Sequence, residues 1–163
     1  MKAASFSDKM SECIVTFLWL GKLPAAPGTW GTLGAAGVHA LAAWRVGRSA
    51  NWLFLPALAL IATLASIAYC PWAERFYGKE DPSQFVIDEV AGYLLTVSFF
   101  PGPNQLRVGI LAFIFFRAFD VLKPYPIHKL EKIGHGLGIV LDDLLAGLLA
   151  ALFTYLSIEV FFV

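Results

Sequence analysis

Apolar residues in this chain come in uninterrupted blocks rather than in narrow stripes. Two blocks reach the roughly 20 residues that a helix needs to cross the apolar layer of a bilayer: Trp52 to Ala73 and Leu144 to Val163. Three shorter ones follow the same pattern, Gly31 to Trp44, Val90 to Phe100 and Val108 to Phe119, the last two parted by the turn-forming PGPNQLR. The pattern predicts five membrane helices, the three short ones tilted or partly sunk in protein, with four helices as the main alternative. Pro56 falls in the first turn of its predicted helix, where a missing N–H is tolerated. No alternation long enough for a barrel strand is present. The expected fold is therefore all-α, a small polytopic membrane protein of about five helices forming one domain over residues 1–163.

Composition sharpens that expectation. Of 163 residues, 58% are apolar and only 15% charged, and 14 Phe and 5 Trp add more apolar surface than so small a sphere could hide from water. A bilayer is the solvent that fits. The formal net charge is zero, so no polyanion-binding surface is indicated and nucleic acid is not an expected partner. Cys13 and Cys70 match no metal or disulfide spacing and read as buried thiols. No secretory signal is visible, because the apolar run Ile14 to Leu20 is short and lacks a small-residue cleavage site.

Lys and Arg in short loops set orientation. If the region before Gly31 is cytoplasmic, alternating spans put Lys2, Lys9, Lys22, Arg75, Lys79, Arg117, Lys123, Lys129 and Lys132 inside, and Arg45, Arg48 and Arg107 outside. The same assignment places every acid except Glu159 on the cytoplasmic side. Acids barely influence orientation, so their segregation is separate information and predicts a polar site at the cytoplasmic face.

Four segments carry that site: APGTWGT (Ala26 to Thr32), DPSQFVIDEVAG (Asp81 to Gly92), FRAFDVLKPYPI (Phe116 to Ile127) and GHGLGIVLDDLLAG (Gly134 to Gly147). Asp88 and Glu89 are read as opening one helix, and Asp142 and Asp143 as opening another. Each pair is followed by small residues, Ala91 and Gly92 or Ala146 and Gly147, which let two helices approach closely and bring their acids to a shared divalent cation. Hard oxygen ligands suit magnesium, although acids at a helix N-terminus also complement its dipole. Arg117, Asp120 and Lys123 recur at i, i+3 and i+6 near the end of an apolar helix. There the cations suit a phosphate and Asp120 a metal cluster, the alternative being an internal Arg117 to Asp120 ion pair with Lys123 snorkelling. The Gly28–Thr29 turn offers backbone N–H groups and a hydroxyl to an anion, but is also an ordinary turn and cap. His39 reads as a packed core histidine, and His128 and His135 as loop residues able to shuttle protons.

Taken together, PGTWGT, the DP followed by VIDEVAG, FRAFDVLKPYPI and GIVLDDLLAG, in this order over about 120 residues, resemble the phosphatidylglycerophosphatase A family. The resemblance implies an all-helical, magnesium-dependent phosphomonoesterase converting phosphatidylglycerophosphate to phosphatidylglycerol at the cytoplasmic leaflet of a bacterial inner membrane. It settles no division of roles among the acids. Chemistry alone assigns Glu89, Asp142 and Asp143, with Asp120, to Mg2+, and Arg117 and Lys123 to the phosphoryl group, beside Gly28 and Thr29. Asp88 is then the general base, or an aspartyl-phosphate nucleophile. The competing readings are a cation or proton transporter using clustered intramembrane acids, which leaves only His39 and Glu159 to carry an ion onward, and a structural membrane subunit.

Overall fold

The computed structural model describes residues 5–45, 47–130 and 137–162. Lys132 and His135, used above for orientation and proton transfer, lie outside them. Among the described residues there are seven α-helices and no strand: α1 (Phe6–Val15), α2 (Pro27–Arg45), α3 (Gly47–Tyr77), α4 (Ile87–Ser98), α5 (Gln105–Leu122), α6 (Ile127–Leu130) and α7 (Leu137–Phe162).

Two of the expected spans are long and apolar enough to cross a membrane, Leu53–Tyr77 within α3 and Leu137–Val160 within α7. Both leave large apolar side chains on the outside, among them Leu53, Ile61 and Leu64 of α3 and Leu152 and Val160 of α7. In water each would forgo roughly 1.5–3 kcal/mol of burial. The other three blocks form α2, α4 and α5, which do not combine the same length and apolar content. At 12 residues α4 is too short to cross a bilayer alone, and it is instead the centre of the molecule. It packs against α2, α3, α5 and α7, with Val90, Ala91, Tyr93 and Val97 fully buried. Its apolar run is therefore explained by protein around it.

Two helix starts differ from expectation, with consequences. The helix carrying Pro56 begins at Gly47, so Pro56 and Pro71 both lie inside α3 and not in a first turn. The polar stretch before Trp52 continues the helix, which a hydropathy boundary cannot register. Likewise α7 begins at Leu137 rather than at the acids, because Gly138 is helical. Asp142 and Asp143 thus sit in its second turn, beyond the exposed N–H groups, where complementing the helix dipole no longer accounts for them.

The start of α4 is clamped in place. Phe17, Leu18 and Trp19 adopt positive φ and reverse the chain after α1, and the Val86 amide donates to the Val15 carbonyl at 2.9 Å. Gly31 of α2 lies against Val86 so closely that a Cβ there would come within 2.7 Å of the valine Cβ. Helix α2, the turn after α1 and the first turn of α4 are locked together, which fixes where Asp88 and Glu89 stand.

Candidate active site

Helices α4 and α7 meet through glycine. A Cβ on Gly147 would lie 2.5 Å from the Gly92 carbonyl oxygen, and one on Gly92 would lie 2.7 Å from that of Asp143. Thr96 Oγ1 sits 2.9 Å from the Gly92 carbonyl and 3.0 Å from that of Gly147, bridging the helices at the contact. Gly92 follows Asp88 by one turn and Gly147 follows Asp143 by one turn, so backbone contact here draws the acids together. The result is a group of three, Asp88, Glu89 and Asp143, each offering a carboxylate oxygen within 4.8 Å of the others.

This cluster lies in a cavity of about 250 Å³ whose lining brings Gly28, Asp88, Glu89, Arg117, Asp120, Lys123, Asp142 and Asp143 together, with Asp81 and Ser83 as additions. All four sequence segments therefore contribute. The acids do not share one role. Arg117 Nη1 pairs with Asp120 one turn later on α5 and lies 3.8 Å from Glu89 Oε1. Lys123 Nζ reaches Asp142 Oδ2 at 2.7 Å. Lys123 does not continue the helical stripe of Arg117 and Asp120: it is the C-cap of α5, at φ 41° and ψ 57°. Its left-handed backbone is the local departure from helix periodicity at this position.

The Pro-Gly-Thr segment is not the free turn that its sequence suggested. Pro27 opens α2, where a missing N–H costs nothing, and the Thr29 amide donates to the Ala26 carbonyl at 2.9 Å. Thr29 is not part of the cavity lining. Gly28 is, for a steric reason: a Cβ there would collide with Glu89 Oε1 and come 3.1 Å from Arg117 Nη1. Its lack of a side chain makes room for the Glu89 carboxylate.

Burial dominates the electrostatics. Asp88 is 3% exposed; its Oδ1 accepts the Glu89 amide at 3.0 Å, yet burial and then the Glu89 charge push its carboxyl well above the usual carboxylate range. Glu89 is raised too, by burial and then by the charge of Asp143. Its Oε2 is buried with no hydrogen-bond donor. Among the described residues and with every group ionised, the six carboxylates of the lining outnumber Arg117 and Lys123 by four charges. Such an arrangement suits added positive charge.

The remaining candidates lie elsewhere. His39 is buried as expected, on the far part of α2, bonded to Gln105 and near Tyr93. His128 packs against the Tyr125 ring and does not line the cavity. Asp81 and Ser83 were not singled out from sequence, although the DP motif containing one of them and preceding the other was.

Comparison with known proteins agrees with this construction. Residues 13–158 match the family described as "Phosphatidylglycerophosphatase A". The chain is 32% identical over 136 residues to "Phosphatidylglycerophosphatase A" of Haemophilus influenzae, covering 83% of this chain and 80% of that one. To the protein of the same name from Escherichia coli K12 it is 28% identical over 132 residues, 80% and 73% of the two chains. A protein of Bacteroides thetaiotaomicron, named provisionally as a phosphatidylinositol-3-phosphatase, is 33% identical over 148 residues, 90% and 91% of the two chains. No solved structure matches. Nothing in these matches supports a transporter. The four segments, the clustered acids and a match running through nearly the whole chain lead to one conclusion: this protein belongs to the phosphatidylglycerophosphatase A family, a family of phosphoric monoester hydrolases.

Proposed function

We propose that this protein hydrolyses the phosphate monoester of phosphatidylglycerophosphate, using Mg2+, at the cytoplasmic face of a bacterial inner membrane in which about five of its helices are seated, the shorter ones tilted or embedded in protein. The observation carrying the reading is the excess of buried carboxylate over cation in a cavity that must accept an anionic phosphate. An acid-rich cavity repels phosphate unless a divalent cation intervenes.

The residues fit such an ion: the donors are hard oxygens, three of them gather within 4.8 Å, and a buried Glu89 oxygen has no donor of its own. Glu89 and Asp143 would hold it, with Asp88 beside them as the general base. Asp120 and Asp142, also expected as ligands, stand beside it as partners of Arg117 and Lys123. When bound, magnesium supplies charge neutralisation of the phosphate oxygens and a water of lowered pKa.

The chain's own groups do the rest. Arg117 carries five N–H donors and Lys123 three, so each can keep its carboxylate partner and still bind a phosphoryl oxygen, strengthening as charge builds there. Asp88 Oδ1 is engaged by the Glu89 amide, which leaves Oδ2 for the proton of an attacking water. Gly28 keeps the Glu89 carboxylate in place, and burial excludes bulk water.

The Bacteroides relative favours a second substrate, a phosphoinositide monoester, at the same site. Purified protein should therefore be assayed with magnesium against phosphatidylglycerophosphate, phosphatidylinositol 3-phosphate, phosphatidic acid and a soluble monoester. The reading expects the highest kcat/KM for phosphatidylglycerophosphate. Preference for the phosphoinositide would move the substrate assignment, and hydrolysis of none would end the phosphatase reading.

A further inference from the structure

A second depression lies apart from the carboxylate cavity. It is an apolar depression of about 530 Å³ between α2 and α5, with Ala36, Ala40 and Ala43 on one wall and Gly109, Ile110 and Phe113 on the other. Ile110 and Ile114 at its margin are exposed, so it opens to the surroundings of the protein.

The same two helices also contribute to the lining of the carboxylate cavity. They touch first where Gly28 of α2 abuts Arg117 of α5, inside the cavity. They touch again where His39 lies against Gly109, with 3.2 Å from a Gly109 Cβ position to His39 Nδ1. Gly28 to His39 is about 16 Å along α2, and Arg117 back to Gly109 about 12 Å along α5. The helices are therefore antiparallel neighbours between the two contacts. Phe113 in the groove and Arg117 in the cavity are one turn apart on the same face of α5. Thr29, which the cavity does not use, lies one turn before Leu33, a groove residue on α2.

We propose that this groove seats one acyl chain of the phospholipid whose phosphate enters the carboxylate cavity, an inference that rests on the phosphatase reading above. A lipid monoester must send its phosphate inward and its tail away, and the groove is an apolar path that starts one turn from the phosphate-facing arginine. Polar groups at its far end already have partners. His39 Nε2 pairs with Gln105 Oε1 at 2.7 Å, and the Tyr93 hydroxyl donates to the Gly109 carbonyl at 3.3 Å. These three buried or half-buried polar side chains thus leave a chain no unmet group to pass at that end. A bilayer is as apolar as the groove, so seating a chain there contributes orientation rather than hydrophobic free energy.

Two phosphatidylglycerophosphates with the same headgroup, one with long and one with very short acyl chains, test this. The variant Ala40→Phe, at an exposed groove position, should lower the long-chain to short-chain ratio of kcat/KM about tenfold. Leu64→Phe, on the exposed outer face of α3 and away from the groove, should leave that ratio unchanged. An unchanged ratio in Ala40→Phe, including equal losses on both lipids, overturns the proposal and leaves the phosphatase reading intact. A long-chain phospholipid with a photoreactive acyl terminus gives a readout independent of turnover, and its crosslinks should fall on α2 and α5 between the two contacts. Crosslinks confined to the outer face of α3, or a groove covered by a second copy of the chain, would also overturn it. If the wild-type protein hydrolyses neither lipid, the phosphatase reading falls, and the crosslinks still decide the groove.

Discussion

Among the described residues, two buried or half-buried polar clusters at opposite ends of α2 differ in one respect. At one end, His39, Gln105 and Tyr93 satisfy one another and nearby carbonyls, Gln105 also donating to Phe100 and Gly102. At the other, Asp88, Glu89 and Asp143 gather with negative charge in excess and a Glu89 oxygen that nothing meets. Burial of polar groups is common to both, so burial alone does not identify a site. What separates them is balance: the first cluster needs nothing to complete it, whereas the second is costly until a cation arrives.

That contrast is most severely tried by Asp143→Asn. Turnover should fall by about a hundredfold or more, while the metal-free protein melts at the same or a higher temperature because a source of repulsion has gone. Thermal melting beside phosphate release checks both halves, and a large loss of stability would mean that the acid is structural. Next is Gly147→Val, which forces a side chain onto the Gly92 backbone. It should cost about 1–3 kcal/mol and also part Asp143 from Asp88 and Glu89, so activity and denaturant midpoint should fall together.

These expectations show how far the sequence reaches. The i, i+4 relation of Asp88 to Gly92 and of Asp143 to Gly147 could be read directly, and the helix contact it predicts is present. The two longest apolar blocks likewise became the two helices able to span. Partner choice among the charges could not be read, because the reach of Lys123 to Asp142 depends on a left-handed cap that breaks the apparent i+6 periodicity. Nor could the true start of α7, since the first turn before the acids includes Gly138, a residue that disfavours helix by itself. Gly28 reads from sequence as an anion-binding turn or an ordinary turn and cap, because nothing in one sequence reveals that a glutamate from another helix occupies the space its side chain would fill.

Smaller effects sharpen the comparison. Lys123→Met removes the cation paired with Asp142 and should destabilise by about 1–3 kcal/mol, with part of that recovered in the Lys123→Met, Asp142→Asn double variant; a double-mutant cycle on denaturation measures it. pH acts on the charged cluster in a defined direction. Asp88 and Glu89 hold protons more tightly in the folded protein than in the unfolded chain. Their contribution to metal-free stability is full below about pH 4 and lost as pH rises through the raised folded values, and magnesium should flatten that decline in melting scans. Least of all, Tyr93→Phe removes a hydroxyl from the satisfied cluster and should cost about 1 kcal/mol, with turnover changed by less than about twofold.

The central claim is that the unbalanced carboxylate cluster is a divalent-cation site serving phosphate-monoester hydrolysis. The most direct measurement is phosphate release from phosphatidylglycerophosphate as magnesium is titrated into metal-stripped wild-type protein and into Glu89→Gln. The account expects saturable activation of the wild type, abolished by chelation, and activation of the variant that is weak and displaced to higher magnesium. Release that proceeds equally without metal, or a Glu89→Gln variant whose magnesium curve overlays the wild type, would contradict it.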